Sequence, residues 1–209
     1  MAQPSRRRAT YQDVLDAPEH KVAEIINGEL RLSPRPRAGH QSVSSSLGAE
    51  LMFPFGRGRG GPGGWLFLDE PELHFGEDIV VPDIAGWRRE RLPSVDGDAP
   101  YLTLPPDWLC EVLSPSTETW DRADKLPVYA EAAVGYVWLI NPRQRTLEVL
   151  RLHEGKWLTL AVHRDDQRVR AEPFDAIELD LAVLWADLAG GPLRAGELAA
   201  TYGVEEAAR

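Results

Sequence analysis

One short apolar run, from Trp108 to Leu113, constrains the fold of this chain more than any other stretch. It is bounded by Pro105-Pro106 on one side and by Ser114-Pro115 on the other, which favours a buried strand. Its one charged residue is Glu111. Because an unpaired carboxylate in an apolar interior is costly, we expect a cation or hydrogen-bond donors beside Glu111.

The segment after this strand can bring a lysine back towards the acid. Ser116 or Thr117 can cap a helix that we expect to run to about residue 132, and this helix carries Asp121 and Lys125 one turn apart. Pro127 lies inside the expected helix, where it removes a hydrogen bond. We therefore expect a kink just after Lys125.

A second acid, Asp83, lies in a similar apolar setting, within residues 79–87, which we expect to form one strand. Taken alone, Asp83 after a proline is more often a turn or strand-end acid, and Lys125 with Asp121 is more often an exposed ion pair. Two acids on apolar strands and one lysine are nevertheless the simplest set of groups for metal-dependent phosphodiester cleavage.

The N-terminal part of the chain predicts a hairpin followed by a helix. Asn27-Gly28 between alternating segments favours a β-hairpin over residues 22–32, because both central positions need positive φ. Glu24 and Glu29 then lie on paired strands, and we expect both to face solvent. The alternative places Glu24 near the catalytic end of the sheet as an accessory acid.

Residues 39–53 predict a helix with an apolar inner face. His40 stands at its start, where we expect a capping or surface residue, with a functional role as the alternative. The glycine-rich stretch 55–64 cannot be regular structure. We expect it to be a surface loop, although its arginines would also suit a loop that meets a phosphate backbone.

The rest of the chain predicts further strands, a long polar loop and two flexible ends. The expected strands are 65–69, 72–75, 136–140, 146–152, 156–162 and 177–181, with a loop at 88–103 and a short helix at 184–188. We expect residues 1–9 to be a flexible basic arm, 10–188 to be one domain and 189–209 to be a tail.

Composition limits the function classes. A net charge of −10 counts against a protein that grips nucleic acid non-specifically, although a local basic patch can act within an acidic whole. The single cysteine, Cys110, excludes an intrachain disulfide and a zinc site made of thiolates. Because no window suits a membrane span or a signal peptide, we expect a cytoplasmic protein without a membrane partner.

Four motifs, in this order, resemble those of one known family. They are Val81-Pro82-Asp83-Ile84, the run from Pro106 to Thr117, the set Asp121, Lys125 and Tyr129-Ala130, and the run from Trp138 to Pro142. Together with the hairpin at Glu24 and the helix at His40, they make residues 10–188 similar to the Uma-two family. This family groups restriction-endonuclease-like proteins within the PD-(D/E)xK nuclease superfamily.

The resemblance implies a fold and a set of site residues. The fold is an α/β restriction-endonuclease-like core, in which helices flank a mixed central β-sheet and a β-hairpin precedes it. Asp83 and Glu111 match the two acids of the superfamily, and Lys125 matches a lysine that has moved from the usual position, here Leu113. With the carbonyl of Val112, the acids would bind Mg²⁺ or Mn²⁺. Lys125 would orient the attacking water or offset negative charge.

The function expected on this basis is a metal-dependent endonuclease that cuts DNA. We expect it to assemble as a homodimer. The expected accessory residues of its site are Glu24, His40 and Asp121. Because close acids repel, the pKa of one should rise without metal, and metal binding should weaken at acid pH.

Two departures from the family, Pro127 and Ala133 in place of a helix-ending glycine, leave open whether Lys125 reaches the site. Pro127 and the acidic charge favour an alternative function, a catalytically silent nuclease-fold protein that acts as an interaction or nucleic-acid-binding subunit. A third candidate is a hydrolase that uses two carboxylates without metal.

Overall fold

The computed structural model of the protein describes residues 7–188. Within this range the strands are β1 (Lys21–Ile26), β2 (Glu29–Pro34), β3 (Trp65–Asp69), β4 (Leu73–Phe75), β5 (Asp78–Val80), β6 (Ile84–Arg88), β7 (Trp108–Val112), β8 (Tyr136–Asn141), β9 (Thr146–His153), β10 (Lys156–Arg164), β11 (Arg168–Val169) and β12 (Leu179–Asp180).

The helices of the described residues are α1 (Tyr11–Leu15), α2 (Ala38–Leu51), α3 (Glu118–Trp120), α4 (Leu126–Glu131) and α5 (Ala182–Trp185). Two wider turns of π type extend them. The first, Met52–Gly56, continues α2, and the second, Asp121–Lys125, joins α3 to α4.

The larger sheet has six strands in the order β10-β9-β8-β7-β6-β3. Only β7 and β8 run parallel among its neighbouring strands, so the sheet is mixed. Every residue of β7 is buried. Strands that are covered on both faces have near-continuous apolar sequences, which explains the apolar run around Glu111.

Helices cover both faces of this sheet, as expected for the fold. On one face, Val43 and Leu47 of α2 pack with Cys110, and on the other, Tyr129 of α4 packs with Leu109. Successive side chains of a strand point to opposite faces. Glu111 therefore shares its face with Leu109 and lies on the side of α4.

The N-terminal hairpin belongs to a second sheet of four strands, in the order β2-β1-β5-β4. Asn27 and Gly28 have φ values of 55° and 78°, which confirms the expected hairpin turn. Ile25 of β1 pairs with Ile79 of β5, so β1 lies inside the sheet and not at its edge. This long-range pairing buries β1 more deeply than its alternating sequence suggests.

The expectation of one strand over residues 79–87 is wrong. The chain leaves the smaller sheet after Val80 and enters the larger sheet at Ile84. Pro82 lies in the break, and a proline has no N–H to donate to a strand ladder. Asp83 therefore lies at the junction between the two sheets, directly before β6.

The expected helix over residues 117–132 is confirmed in extent, from Glu118 to Glu131, but it is not α-helical throughout. The π-type turn Asp121–Lys125 separates α3 from α4, so Pro127 becomes the second residue of α4. A proline has no N–H for the helical hydrogen-bond ladder, and the wider turn lies directly before this part of the helix, close to the expected irregularity after Lys125. Ala133 ends the segment with φ 60°.

The C-terminal pattern also differs from the expectation. In place of a strand over residues 177–181, Leu179–Asp180 pairs with Arg168–Val169 in a separate two-stranded sheet. The short helix begins at Ala182, two residues earlier than expected. The expected tail, residues 189–209, lies outside the described residues.

The end of the expected basic arm is attached to the domain. Arg7 lies 2.6 Å from Asp13 and Arg8 lies 2.8 Å from Glu77, while the N–H of Ala9 donates to the carbonyl of Gly28. Residues 1–6 lie outside the described range. Between residues 7 and 188, no helix has the length and apolar character that crossing a membrane requires.

Candidate active site

Glu111 is buried on β7 with two hydrogen-bond donors, which confirms the expectation from its apolar setting. It is 3% exposed. The Nζ atom of Lys125 lies 3.0 Å from its Oε1, and the hydroxyl of Tyr129 donates to the same oxygen. Lys125 and Tyr129 are one α-helical turn apart, so both face the sheet where Glu111 projects from it.

Lys125 occupies the centre of an acidic cluster. It is 4% exposed, and its Nζ lies 2.9 Å from Oε1 of Glu24 and 3.7 Å from Oδ1 of Asp121. The π-type turn, which ends at Lys125, carries both Asp121 and Lys125 inward. Pro127 and Ala133 therefore do not keep the ammonium group away from Glu111.

Glu24 is buried, so the expectation that it faces solvent is wrong. It is 4% exposed, and its Oε1 accepts the backbone N–H of Val81 at 2.8 Å. Its strand lies between β2 and β5, which places the side chain beside the junction of the two sheets. Glu29, on the paired strand, is exposed as expected. The structure thus brings Glu24 to Lys125, while a role of Glu24 as an accessory acid stays a prediction.

Asp83 is fixed beside the end of β7. Its Oδ2 accepts the N–H of Val112 at 2.6 Å and lies 3.2 Å from Nε2 of His40. Because Val112 follows Glu111 in the chain, this bond ties Asp83 to the strand that carries the second acid. The side chain of Asp83 is 14% exposed, so it remains open to the cavity described below.

His40 is not the capping or surface residue that we expected. Its side chain is 14% exposed, beside Asp83, and its Nδ1 is buried without a hydrogen-bond partner. Burial lowers the pKa of His40, but the hydrogen bond and the charge of Asp83 outweigh burial and raise it above its ordinary value. Asp83 therefore stabilises the protonated form of His40 relative to a histidine in water.

Burial and mutual repulsion shift the remaining groups. Burial raises the pKa of Glu111 well above its ordinary value, Lys125 opposes that rise, and the charges of Asp121 and Asp83 add to it. Burial also raises the pKa of Asp121, to about 6. For Lys125 burial lowers the pKa, yet Glu111 and Glu24 outweigh it and hold the pKa well above its ordinary value. Burial, more than the repulsion between acids on which the expectation rested, is therefore the main cause of these raised pKa values.

The cluster forms the floor of a cavity of about 870 Å³. Five charged residues of the cluster line this cavity: Glu24, Asp83, Glu111, Asp121 and Lys125. The acids outnumber the nearby cations, so an added cation would relieve repulsion in the floor. The electrostatic environment is thus suited to a positively charged cofactor.

The donor set fits a magnesium ion better than a metal enclosed by protein ligands. Across residues 7–188, no group of three His, Cys, Asp or Glu side chains is arranged to hold a metal ion. Mg²⁺ is usually bound through one or two carboxylates, while waters and substrate phosphates supply its other ligands. Asp83 and Glu111 meet this requirement at the cavity floor.

Two residues of this site were not singled out as site candidates from the sequence. Tyr129 binds Glu111, and its position four residues after Lys125 is the signal that would have identified it. Trp120 lines the cavity, and it lies next to Asp121 in the chain. Its contribution could not be separated from that of the buried tryptophans by sequence pattern.

Comparison with known proteins identifies a family and solved structures of the same fold. Residues 8–183 match the profile of the family Uma2, described as "Putative restriction endonuclease". A crystal structure from Anabaena variabilis, described as a "putative nuclease belonging to DUF820", is 23% identical, with a TM-score of 0.67 over 85% of this chain and 97% of that chain. No curated protein matches this chain.

Proposed function

This chain belongs to the Uma2 family, and from that premise we propose that it is a metal-dependent endonuclease that hydrolyses DNA phosphodiester bonds at a PD-(D/E)xK-type site. A nuclease-like function follows from the family, whereas the metal, the DNA substrate and the residue roles are our proposal. We assign Asp83 and Glu111 as the acids and Lys125 as the lysine.

The observation that carries the proposal is the buried position of Lys125 between Glu111 and Glu24. Burying several charges costs stability unless geometry and function compensate for it. A protein that only binds a partner has no need of such a cluster at the floor of a cavity. The cluster therefore argues against the catalytically silent alternative, which the net charge of −10 favours.

Asp83 and Glu111, with the carbonyl of Val112, would hold Mg²⁺ or Mn²⁺. The bound cation would lower the pKa of a water molecule and stabilise negative charge on the phosphate oxygens. Lys125 and Tyr129 both donate to Oε1 of Glu111, which orients its carboxylate. His40 orients Asp83 in the same way.

The charge state of Lys125 decides which part it plays. Glu111 and Glu24 hold its pKa well above the ordinary value, so it stays an ammonium group at neutral pH. It therefore acts by charge and by hydrogen bonding, to position the attacking water or offset charge on the phosphate, and does not take up a proton. Glu24 and Asp121 support this role by stabilising the ammonium form.

The test is a cleavage assay with purified protein on linear, supercoiled and single-stranded DNA, in Mg²⁺, Mn²⁺ or EDTA. We expect cleavage that requires metal and falls about 100- to 1,000-fold in Glu111→Ala and Lys125→Ala. Lys156→Ala, at an exposed lysine outside the cavity, is the matched control and should cut like the wild type. Cleavage that survives in both site variants would contradict the assignment, and no cleavage by folded wild type would favour the silent alternative.

We further propose that the protein works in the cytoplasm and cuts as a homodimer, as many nucleases of this fold do. Light scattering coupled to gel filtration measures the mass directly. A single species of 23.3 kDa, the mass of one chain, would contradict the dimer without affecting the site.

A further inference from the structure

The residues assigned to catalysis lie in a recess and not on an open surface. Glu111 is 3% exposed and Lys125 is 4% exposed, at the floor of a cavity of about 870 Å³. Cavities of roughly 300–1,000 Å³ enclose ligands of small-molecule size. A nucleotide that is stacked and paired in a duplex must leave the stack to enter such a pocket, at a cost of a few kcal/mol, whereas an unpaired strand enters without this cost.

Four exposed or partly exposed arginines line this recess, and we name Arg35, Arg37, Arg143 and Arg145 the arginine rim. The first two lie between β2 and α2, and the other two lie in the turn between β8 and β9. Arg35 also donates to the carbonyl of Glu19 and lies 4.0 Å from Glu70, an acid that lines the same cavity. In a chain with net charge −10, this positive rim above an acidic floor is suited to phosphates on either side of a nucleotide that enters the cavity.

An aromatic side chain completes the wall. Trp120 of α3 lines the cavity and is partly exposed. The guanidinium group of Arg31, which is not part of the wall, lies 5.6 Å from the centre of its ring and holds the indole by a cation–π contact. Proteins that bind single strands stack bases on such aromatic groups without regard to sequence.

We propose that the cavity accepts an unpaired DNA strand in preference to an intact duplex, with a base stacked on Trp120 and the neighbouring phosphates on the arginine rim. This inference rests on the proposed nuclease function and specifies the form of DNA on which that site acts. The recess, the rim and the indole each favour the same substrate.

Binding in EDTA tests the inference without any cleavage. The probes are one labelled single strand, a blunt duplex of the same sequence and a duplex with a single-stranded overhang, followed by fluorescence anisotropy. We expect the single strand and the overhang to bind about tenfold or more tightly than the blunt duplex. Trp120→Ala should weaken single-strand binding about 10- to 100-fold, and Trp120→Phe should restore most of it.

Matched controls separate the cavity from the general surface. Phe53→Ala removes an exposed aromatic outside the cavity wall and should leave binding unchanged. Arg143→Ala should reduce the slope of log affinity against log salt by about one, whereas Arg59→Ala, at an exposed arginine outside the wall, should not. Circular dichroism of each variant verifies that it is folded.

Equal binding and equal kcat/KM for blunt duplex and single strand would overturn the inference while leaving a metal-dependent nuclease in place. Unchanged single-strand binding by folded Trp120→Ala would also overturn it. Single-strand binding that depends on Trp120, without cleavage of any DNA, would support the inference and contradict the proposed catalytic function. The two proposals therefore fail in distinguishable ways.

Discussion

Asp121 is unlike an ordinary aspartate on a helix surface. It is 4% exposed, lies 3.7 Å from Lys125 and has a pKa of about 6. Burial is the main cause, and the charges of Glu24 and Asp83 add to it, while Lys125 and the hydrogen bond from Thr117 oppose it. The ionised form is therefore tolerated at neutral pH at the expense of stability, as is common at functional sites.

Replacing Asp121 by asparagine should stabilise the protein in a pH-dependent way. An acid whose pKa is higher in the folded state than in the unfolded state lowers stability as the pH rises from its ordinary value of 3.8 through about 6. Asp121→Asn removes this loss. At pH values above about 6, the free energy of unfolding of the variant in EDTA should therefore exceed that of wild type by up to about 3 kcal/mol. Below pH 3.8 the two proteins should be equally stable.

Urea unfolding at several pH values measures this difference. Asp124→Asn, at a side chain that is 32% exposed, is the control and should change stability little at any pH because solvent screens its charge. A stability difference for Asp121→Asn that did not grow with pH would contradict the electrostatic explanation.

Single residues also show what sequence can and cannot predict about the site. The burial of Glu111 follows from its neighbours in the chain, because an apolar run bounded by prolines is local information. The burial of Glu24 depends on the pairing of Ile25 with Ile79, a contact between distant segments that periodicity does not contain. His40 was ambiguous for the same reason, since its partner Asp83 is far away in sequence.

At the scale of elements, the segment from α3 to α4 determines whether the lysine reaches the acid. In the π-type turn Asp121–Lys125, both end residues point into the protein. Pro127 follows this turn as the second residue of α4. A helical pattern in sequence does not distinguish a wider turn from an α-turn, so the π-type turn inside the expected helix could not be predicted. The hairpin at Asn27-Gly28 was predictable because its conformation depends on two adjacent residues.

The end of α4 provides a stability test of this element. Ala133 has φ 60°, and the N–H of Val134 donates to the carbonyl of Tyr129, as in helices that usually end in glycine. A side chain with a Cβ costs about 1–2 kcal/mol in this left-handed conformation. Because Ala133 is exposed and packs little surface, Ala133→Gly should raise the free energy of unfolding by about 1 kcal/mol and leave cleavage unchanged.

The control for this substitution is Ala49→Gly, at an exposed alanine inside α2. There the backbone is an ordinary right-handed helix, so glycine should lower the free energy of unfolding by about 1 kcal/mol. Chemical denaturation of the two variants checks both signs. A loss of stability in Ala133→Gly would contradict the proposed backbone strain at Ala133.

At the scale of the whole molecule, the two sheets meet where the acids lie. β5 belongs to the smaller sheet and β6 to the larger one, and Asp83 stands between them. The pairing of Ile84 in β6 with Cys110 in β7 places Glu111 beside this junction. The net charge of −10 does not describe this region, because four arginines line a cavity whose floor is acidic.

The central claim is that Asp83 and Glu111 together hold a divalent cation beside Lys125. Calorimetric titration of the purified protein with Mn²⁺ tests it most directly, with Asp83→Asn and Glu111→Gln as the site variants. Glu131→Gln, at an exposed residue of α4, is the matched control.

We predict that wild type and Glu131→Gln bind Mn²⁺ and that Asp83→Asn and Glu111→Gln, although folded, do not. Binding should weaken at acid pH, because burial raises the pKa of Glu111 and protons then compete with the metal ion. Equal Mn²⁺ affinity in all four proteins, or no binding by folded wild type at any pH, would contradict the account.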